Sequence, residues 1–361
     1  MRITIIGAGI AGITAALALR RAGHSITLRE RTASVSPVGA GIILAPNALR
    51  ILVGLGVNLS AVGYPIPRLT LCTAQGSVLQ TVDVPRILPG IEPPLAFDRR
   101  ELHNALLAAL PADVSLEFGS LYSGETLPDH DLLIGADGIR SAVRESLLGP
   151  IPLRYSGTTC WRALLANPGV HEGFEAWGGA SRIGAVPLNC DRLYVYLVRS
   201  APRGGLRQTS IDSVRGYFQH FTDPVSAILD ALAGVELLHH DLEELPGPVW
   251  GRARAILIGD AAHAMTPNLG QGAGMAIEDA AVLPQIVVAP DPAAALRARR
   301  HQRVAQIQKH SRVLGQLAHW RSPGAIALRN ALLRLIPASV SDRDYRRTIE
   351  AGLELSQSNG A

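Results

Sequence analysis

The first thirty residues constrain this chain most. An apolar run, Ile3 to Ile6, leads into Gly7-Ala8-Gly9-Ile10-Ala11-Gly12 and then into the alanine- and leucine-rich stretch Ile13 to Ala22. That order reads as strand, tight turn and helix. Gly23 ends the helix, and Ser25 to Arg29 alternates into a second strand that finishes at Glu30, with Arg31 next to it as a further candidate cofactor contact. One βαβ unit results. In such a unit Gly7 permits the tight turn, Gly9 lets the backbone approach a pyrophosphate, and Gly12 allows close packing of helix on strand. The helix start at Ile10 and Ala11 then offers free N–H groups to the anion. Glu30 is placed to accept hydrogen bonds from a ribose hydroxyl pair. The motif predicts a bound dinucleotide and, alone, leaves NAD and FAD both open.

Length and composition set the bounds. At 361 residues the chain exceeds a usual single domain of about 100–200 residues, so two intimately joined domains are expected. A hydrophobic fraction of 47% and a charged fraction of 18% fit a globular protein. No run reaches the roughly 20 apolar residues a membrane-spanning helix needs, which predicts a soluble protein without a membrane partner. Arg2 before an apolar stretch imitates a secretory signal, but three glycines would weaken a signal helix. Cys72, Cys160 and Cys190 are odd in number and scattered, which suits neither a disulfide framework nor a metal cluster and predicts a cytoplasmic protein without metal. The net charge of +4 is spread along the chain, so nucleic acid is not the expected partner. Lys309 is the only lysine, and arginines suit planar anions. A monomer or homodimer is expected.

Downstream, the pattern predicts a helix over Asn47 to Gly54, a hairpin over Arg68 to Val84 with Gly76 at its turn, and a helix from Arg99 to Leu110. Leu132 to Ile134, before Gly135-Ala136-Asp137-Gly138, and Ala255 to Ile258, before Gly259-Asp260, read as buried strands that return to the first sheet. Between them, Gly157 to Val249 is strand-rich. In Arg192 to Val198 a period of two puts Leu193, Val195 and Leu197 on one face and Tyr194 and Tyr196 on the other, where they would line a substrate pocket or simply pack on helices. Pro292 to Leu335 is helical, its many arginines read as a solvated face, and the tail after Leu355 is expected to fray.

The second half of the chain decides for FAD. The segment Ile256 to Asp279 contains Gly259-Asp260-Ala261-Ala262-His263, Pro267, and Gly270-Gln271-Gly272-Ala273-Gly274. It resembles the flavin-contacting segment of the class A flavoprotein monooxygenases, the family of p-hydroxybenzoate and salicylate hydroxylases. Gly39-Ala40-Gly41-Ile42, Asp98-Arg99-Arg100-Glu101-Leu102 and Asp131 to Arg144 are similar to that family as well. The matching segments run from the first strand to about Leu283, and the usual β-excursion between Ser115 and Asp131 is shortened here.

The resemblance implies an α/β fold. A Rossmann-like FAD domain (1–67, 99–150 and 250–290) would interleave with a mixed-sheet substrate domain (68–98 and 151–249) ahead of C-terminal helices (291–361). It implies that Asp260 holds a hydroxyl of FAD, that Arg99 contacts the cofactor, and that Asp137-Gly138 serves both flavin and NAD(P)H. The helix opening at Gly270 to Gly274 would direct its N-terminus at the flavin ring, where negative charge gathers on reduction. Pro267 would wall the ring, and His263 reads as structural. Tyr155 to Arg162 resembles the family's return into the substrate domain, which makes Arg162 the best candidate to steer an anionic substrate or nicotinamide phosphate. The implied reaction has NADH or NADPH as transient reductant, O2, a flavin C4a-hydroperoxide and an aromatic or other activated small molecule. A flavin halogenase lacks its tunnel lysine here and finds no W-x-W pair. Another FAD oxidoreductase, or a non-catalytic flavin-binding protein, stays open at this point.

Overall fold

The first strand, Arg2–Ile6, buries four of its five residues. A central strand covered by helices on both faces has this pattern. It is flanked in parallel by Ser25–Arg29 and Leu132–Gly135, with Ile5 opposite both Leu28 and Ile134. Ala255–Leu257 and Ser115–Glu117 extend the sheet in parallel on either side, and Gly251–Arg252 closes one edge antiparallel. The carboxyl ends of three neighbouring strands therefore lie side by side. Gly7, Asp137-Gly138 and Gly259-Asp260 follow them directly, at the edge where open α/β sheets hold their ligands.

The computed structural model describes residues 1–34, 40–125, 130–207 and 209–357. Gly39 and the last four residues of the tail lie outside them. The helix Ile10–Arg21 packs on the helix Gly272–Ile286 through small residues. A Cβ built on Gly259 would stand 2.9 Å from the Ala11 Cβ and 3.2 Å from the Ala276 Cβ, so the turn lies wedged between both helices.

A second, seven-stranded sheet runs in the order Leu238–Glu244, Arg154–Ala166, Arg192–Ser200, Ser181–Pro187, Gly173–Gly178, Arg68–Thr73 and Val78–Asp83. The period of two sorts its faces as expected. Leu193, Val195 and Leu197, with Trp161, Ala163 and Leu165, pack on the helices Ile211–Phe218 and Val225–Ala231. Tyr194 and Val186 face the other way, onto Ala40, Ile66 and Ala96. There a third sheet, not evident in the sequence pattern, pairs Gly41–Leu44 with Leu95–Asp98 and Tyr64–Pro65. Gly41 permits the contact, because a Cβ at that position would lie 2.2 Å from the Tyr194 ring.

Three helices, Pro292–Ala318, Pro323–Leu335 and Ala338–Gln357, complete the described chain. The expected solvated arginine face holds for Arg297 and Arg299 and fails for Arg300 and Arg329, which are buried. Arg300 turns inward because two buried carboxylates wait for it, and Arg329 because it donates to the Ala318 carbonyl at 3.0 Å and lies 5.1 Å over the Trp177 ring. Among the described residues no helix is long and apolar enough to cross a membrane.

Candidate functional site

The glycines of the first turn divide by what demands them. Gly7 has φ +104°, and a Cβ there would sit 2.5 Å from the Ala136 carbonyl oxygen. A Cβ on Gly12 would sit 1.8 Å from the Gly7 oxygen. Around Gly9, by contrast, a Cβ would meet nothing within 4 Å. Gly9 is also the N-cap of Ile10–Arg21, and no side chain caps that helix, so the first N–H groups remain available to an anion. Glu30 braces the turn. Its Oε2 accepts from the Ala8 N–H at 2.9 Å, and its Oε1 from the Thr32 N–H at 3.0 Å. Burial works to raise the Glu30 pKa, but these backbone donors and Arg31 win and hold it below the ordinary carboxylate value. His103 meets the Ala8 carbonyl at 2.6 Å from the neighbouring helix.

The other two turns are tied together from behind. Asp137 accepts from Ser141 Oγ at 2.5 Å and from the Val143 N–H at 3.1 Å, so both carboxylate oxygens serve the following helix. Gly138 has φ +81° and open space around it. The buried Arg144 donates to the Ile139 and Ala261 carbonyls, joining the Asp137 turn to the Gly259-Asp260 turn. Asp279, fully buried, accepts from the Gly259 N–H at 3.1 Å, from His263 Nε2 at 2.6 Å and from Arg300 Nε at 2.8 Å. His263 is thereby a buried structural group. Beside it Glu278 takes Arg300, Arg303 and Asn47. Pro267 is exposed, Gly270 adopts the left-handed conformation, and the helix from Gly272, Ala273 and Gly274 again starts without a side-chain cap.

Facing these turns, the seven-stranded sheet presents Arg162, which pairs across the strands with Tyr196. Arg99, Arg162, Tyr194 and Asp260 lie within electrostatic reach of one another. Among the described residues none of Arg99, Arg162 and Asp260 has an ion-pair partner. Burial lowers the Arg99 pKa; Asp260 opposes that shift and Arg162 adds to it. Burial pushes Tyr194 up to about 12 and Tyr196 well above its ordinary value, so both phenols stay protonated near neutral pH. Tyr196 spends its proton on Glu175 Oε2 at 2.5 Å, whereas Tyr194 has no such partner. Arg192 docks this sheet beside Arg99 by donating to Asp98 at 3.1 Å and Glu101 at 2.8 Å.

Three glycine turns, two uncapped helix starts and a cationic wall converge at one strand edge. The FAD binding domain family model matches residues 1–118 and 249–311, which hold the first and third of these glycine turns and Arg99 but not Asp137-Gly138 or Arg162. The chain belongs to the class A FAD-dependent monooxygenases. The monooxygenase is 36% identical to 2-heptyl-3-hydroxy-4(1H)-quinolone synthase of Pseudomonas aeruginosa, across 96% of this chain and 97% of that one. It is 30% identical to salicylate hydroxylase of Pseudomonas putida, across 90% and 87%. The crystal structure of Klebsiella pneumoniae HpxO with FAD and uric acid superposes with a TM-score of 0.86 at 26% identity, covering 98% of this chain and 97% of that one. FAD is therefore its cofactor, and the residues fit it. Gly9, Gly138 and Gly270 leave space that no protein atom fills, the first and last of them beside uncapped helix N-termini.

Several residues at this site carry no sequence signal. Arg192, Asn47 and Arg300 act only through partners far along the chain. His240 is one of a histidine pair in a strand, and only the strand's alternation separates the two.

Proposed function

We propose that this monooxygenase takes electrons from NADH or NADPH and inserts one atom of O2 into a small aromatic or heteroaromatic anion held near Arg99, Arg162 and Tyr194. Bound FAD supplies the two-electron chemistry and the activation of oxygen. The chain supplies binding, orientation and exclusion of water. Gly7, Gly9, Ile10, Ala11 and Gly12 would seat the pyrophosphate, and Glu30 with Arg31 the ribose end. Gly41, Arg99, Asp137, Gly138, Gly259 and Asp260 would line the middle of the cofactor. Pro267 and the helix start at Gly270, Gly272, Ala273 and Gly274 would stand against its ring. With one glycine fingerprint in the chain, the nicotinamide nucleotide would visit rather than reside. Relatives named for salicylate, urate and a 4(1H)-quinolone handle flat rings, which suits a cleft walled by a free tyrosine and two arginines.

The observation that carries this reading is the pair of arginines without ion-pair partners beside Asp260. Half-buried cations without a carboxylate partner cost free energy unless a ligand compensates them. Oxidation of NADH or NADPH should be slow alone and accelerate with a cognate ring from a panel of aromatic acids, phenols and heteroaromatics. Arg162→Gln should retain FAD and raise KM for an anionic ring about ten- to a hundredfold, the size of one charge-assisted hydrogen bond of roughly 1.5–3 kcal/mol. An unchanged KM would remove Arg162 from the substrate site.

A further inference from the structure

The helix Pro323–Leu335 buries an arginine and exposes its leucines. Arg329 is its one buried residue, set over the Trp177 ring. Leu328, Leu332 and Leu335, spaced to share one helical face, are 51–75% exposed, and Ala331 beside them is exposed too. The apolar strip continues past the helix end through Ile336 and Val340, and Trp320 stands exposed just ahead of the helix. A surface helix ordinarily turns its apolar stripe to the core. This one is held the other way round. Gln80, on the edge strand Val78–Asp83, reaches the Leu333 carbonyl and donates to the Ile336 carbonyl at 3.3 Å, and Ser341 donates to Gln80 Oε1 at 3.2 Å. An exposed apolar strip with a polar rim marks an interaction site.

The rim is cationic. Arg321, Arg334, Arg343 and Arg347 are exposed, and none has an ion-pair partner among the described residues. From Arg321 to Arg347 the chain has six arginines against two aspartates, an excess equal to the +4 net charge of the whole chain. One of those aspartates, Asp342, is already taken by Arg86.

We propose that this face docks on the surface of an anionic lipid bilayer. The leucines, Ile336 and Val340 would enter the boundary between headgroups and hydrocarbon, and the arginines would meet lipid phosphates from the same side. Trp320 suits the headgroup depth, where an aromatic ring keeps both an apolar and a polar neighbour. The attachment is peripheral. No described helix can cross a membrane, and the expectation of no membrane partner rested on spanning helices alone. A second copy fits this face less well, because a two-fold interface sets each patch against itself and would bring the unpaired arginines of both copies together. None of these residues belongs to the proposed cleft, so the docking stands or falls apart from the substrate reading.

The test uses the FAD-loaded full chain and flotation with vesicles of phosphatidylglycerol and phosphatidylcholine, or of phosphatidylcholine alone. Two variants accompany wild type: Leu328→Gln/Leu332→Gln/Leu335→Gln, and Arg334→Gln/Arg343→Gln/Arg347→Gln. Wild type should float with the anionic vesicles and release in high salt, and its affinity for the neutral ones should be about tenfold or more lower. Each variant should bind the anionic vesicles about tenfold or more weakly than wild type while keeping its flavin content and melting temperature. Wild type that stays off anionic vesicles at low salt would overturn the proposal. So would a leucine variant that binds as wild type does, since the net charge alone would then explain the attraction. Sedimentation of the same samples gives the competing occupant: a wild-type dimer that the leucine substitutions dissociate, with no lipid bound, would assign the face to a second copy and overturn the bilayer.

Discussion

Gly9 and Gly12 stand three residues apart in one turn, yet the fold itself requires only Gly12. The backbone at Gly9 has φ −80°, which any residue adopts, and an added Cβ would meet no protein atom. Gly12→Ala should therefore cost stability and cofactor together, because its Cβ would overlap the Gly7 carbonyl. Gly9→Ala should melt like wild type while its FAD affinity drops about tenfold or more, a loss on the order of 1.4 kcal/mol. Thermal melts with and without added FAD separate the two. A Gly9→Ala variant that melts low without FAD would show that the turn, not the cofactor, needs this glycine. The spacing of these glycines was legible because local backbone geometry fixes it. Glu30 was legible as the acid after the second strand, but its bonds to Ala8 and Thr32 depend on how the chain returns. Asp137 was singled out from its motif, and its two bonds to the next helix could not be read from an Asp-Gly pair alone.

At the scale of elements, the helix Gly272–Ile286 matters because its uncapped N-terminus is the proposed wall of the cofactor site while its middle is clamped. Glu278 and Asp279 are fully buried and paired with Arg300, with Arg303, His263 and Asn47 completing the cluster. Burial alone would raise both carboxyl pKa values, but these partners hold them below the ordinary range. A folded pKa below the unfolded one stabilises the protein at pH above about 4 and ceases to do so as pH falls through the folded value. Arg300→Met leaves two buried carboxylates short of a cation and should cost roughly 3–5 kcal/mol near neutral pH. Its stability should also decline less steeply in acid than that of wild type, which urea titrations from pH 7 downward would measure. Equal losses at all pH values would mean that packing, not charge, holds the helix. The arginine-rich C-terminal helices read as solvated because a single sequence shows no partner for Arg300, and the partner lies on a preceding helix.

At the scale of the whole molecule, chain segments far apart in sequence build one cleft. The parallel sheet was readable from its buried strands and glycine turns, and the alternation of Leu193 to Leu197 told which face of the second sheet meets helices. The three-stranded sheet at Gly41–Leu44, Leu95–Asp98 and Tyr64–Pro65 was not, since its strands are short and pair across long gaps in the chain. The placement of His240 depends on which residue lies opposite it, and register is set by tertiary pairing. The account as a whole holds that the cleft inserts oxygen taken from O2. The most direct test is turnover with NADH or NADPH and a ring that stimulates its oxidation, under oxygen gas labelled with the heavy isotope, followed by mass analysis of the product. One labelled atom per product molecule, with substrate consumed in step with oxygen, is the predicted result. Label entering from water, or oxidation of the ring without oxygen, would contradict it.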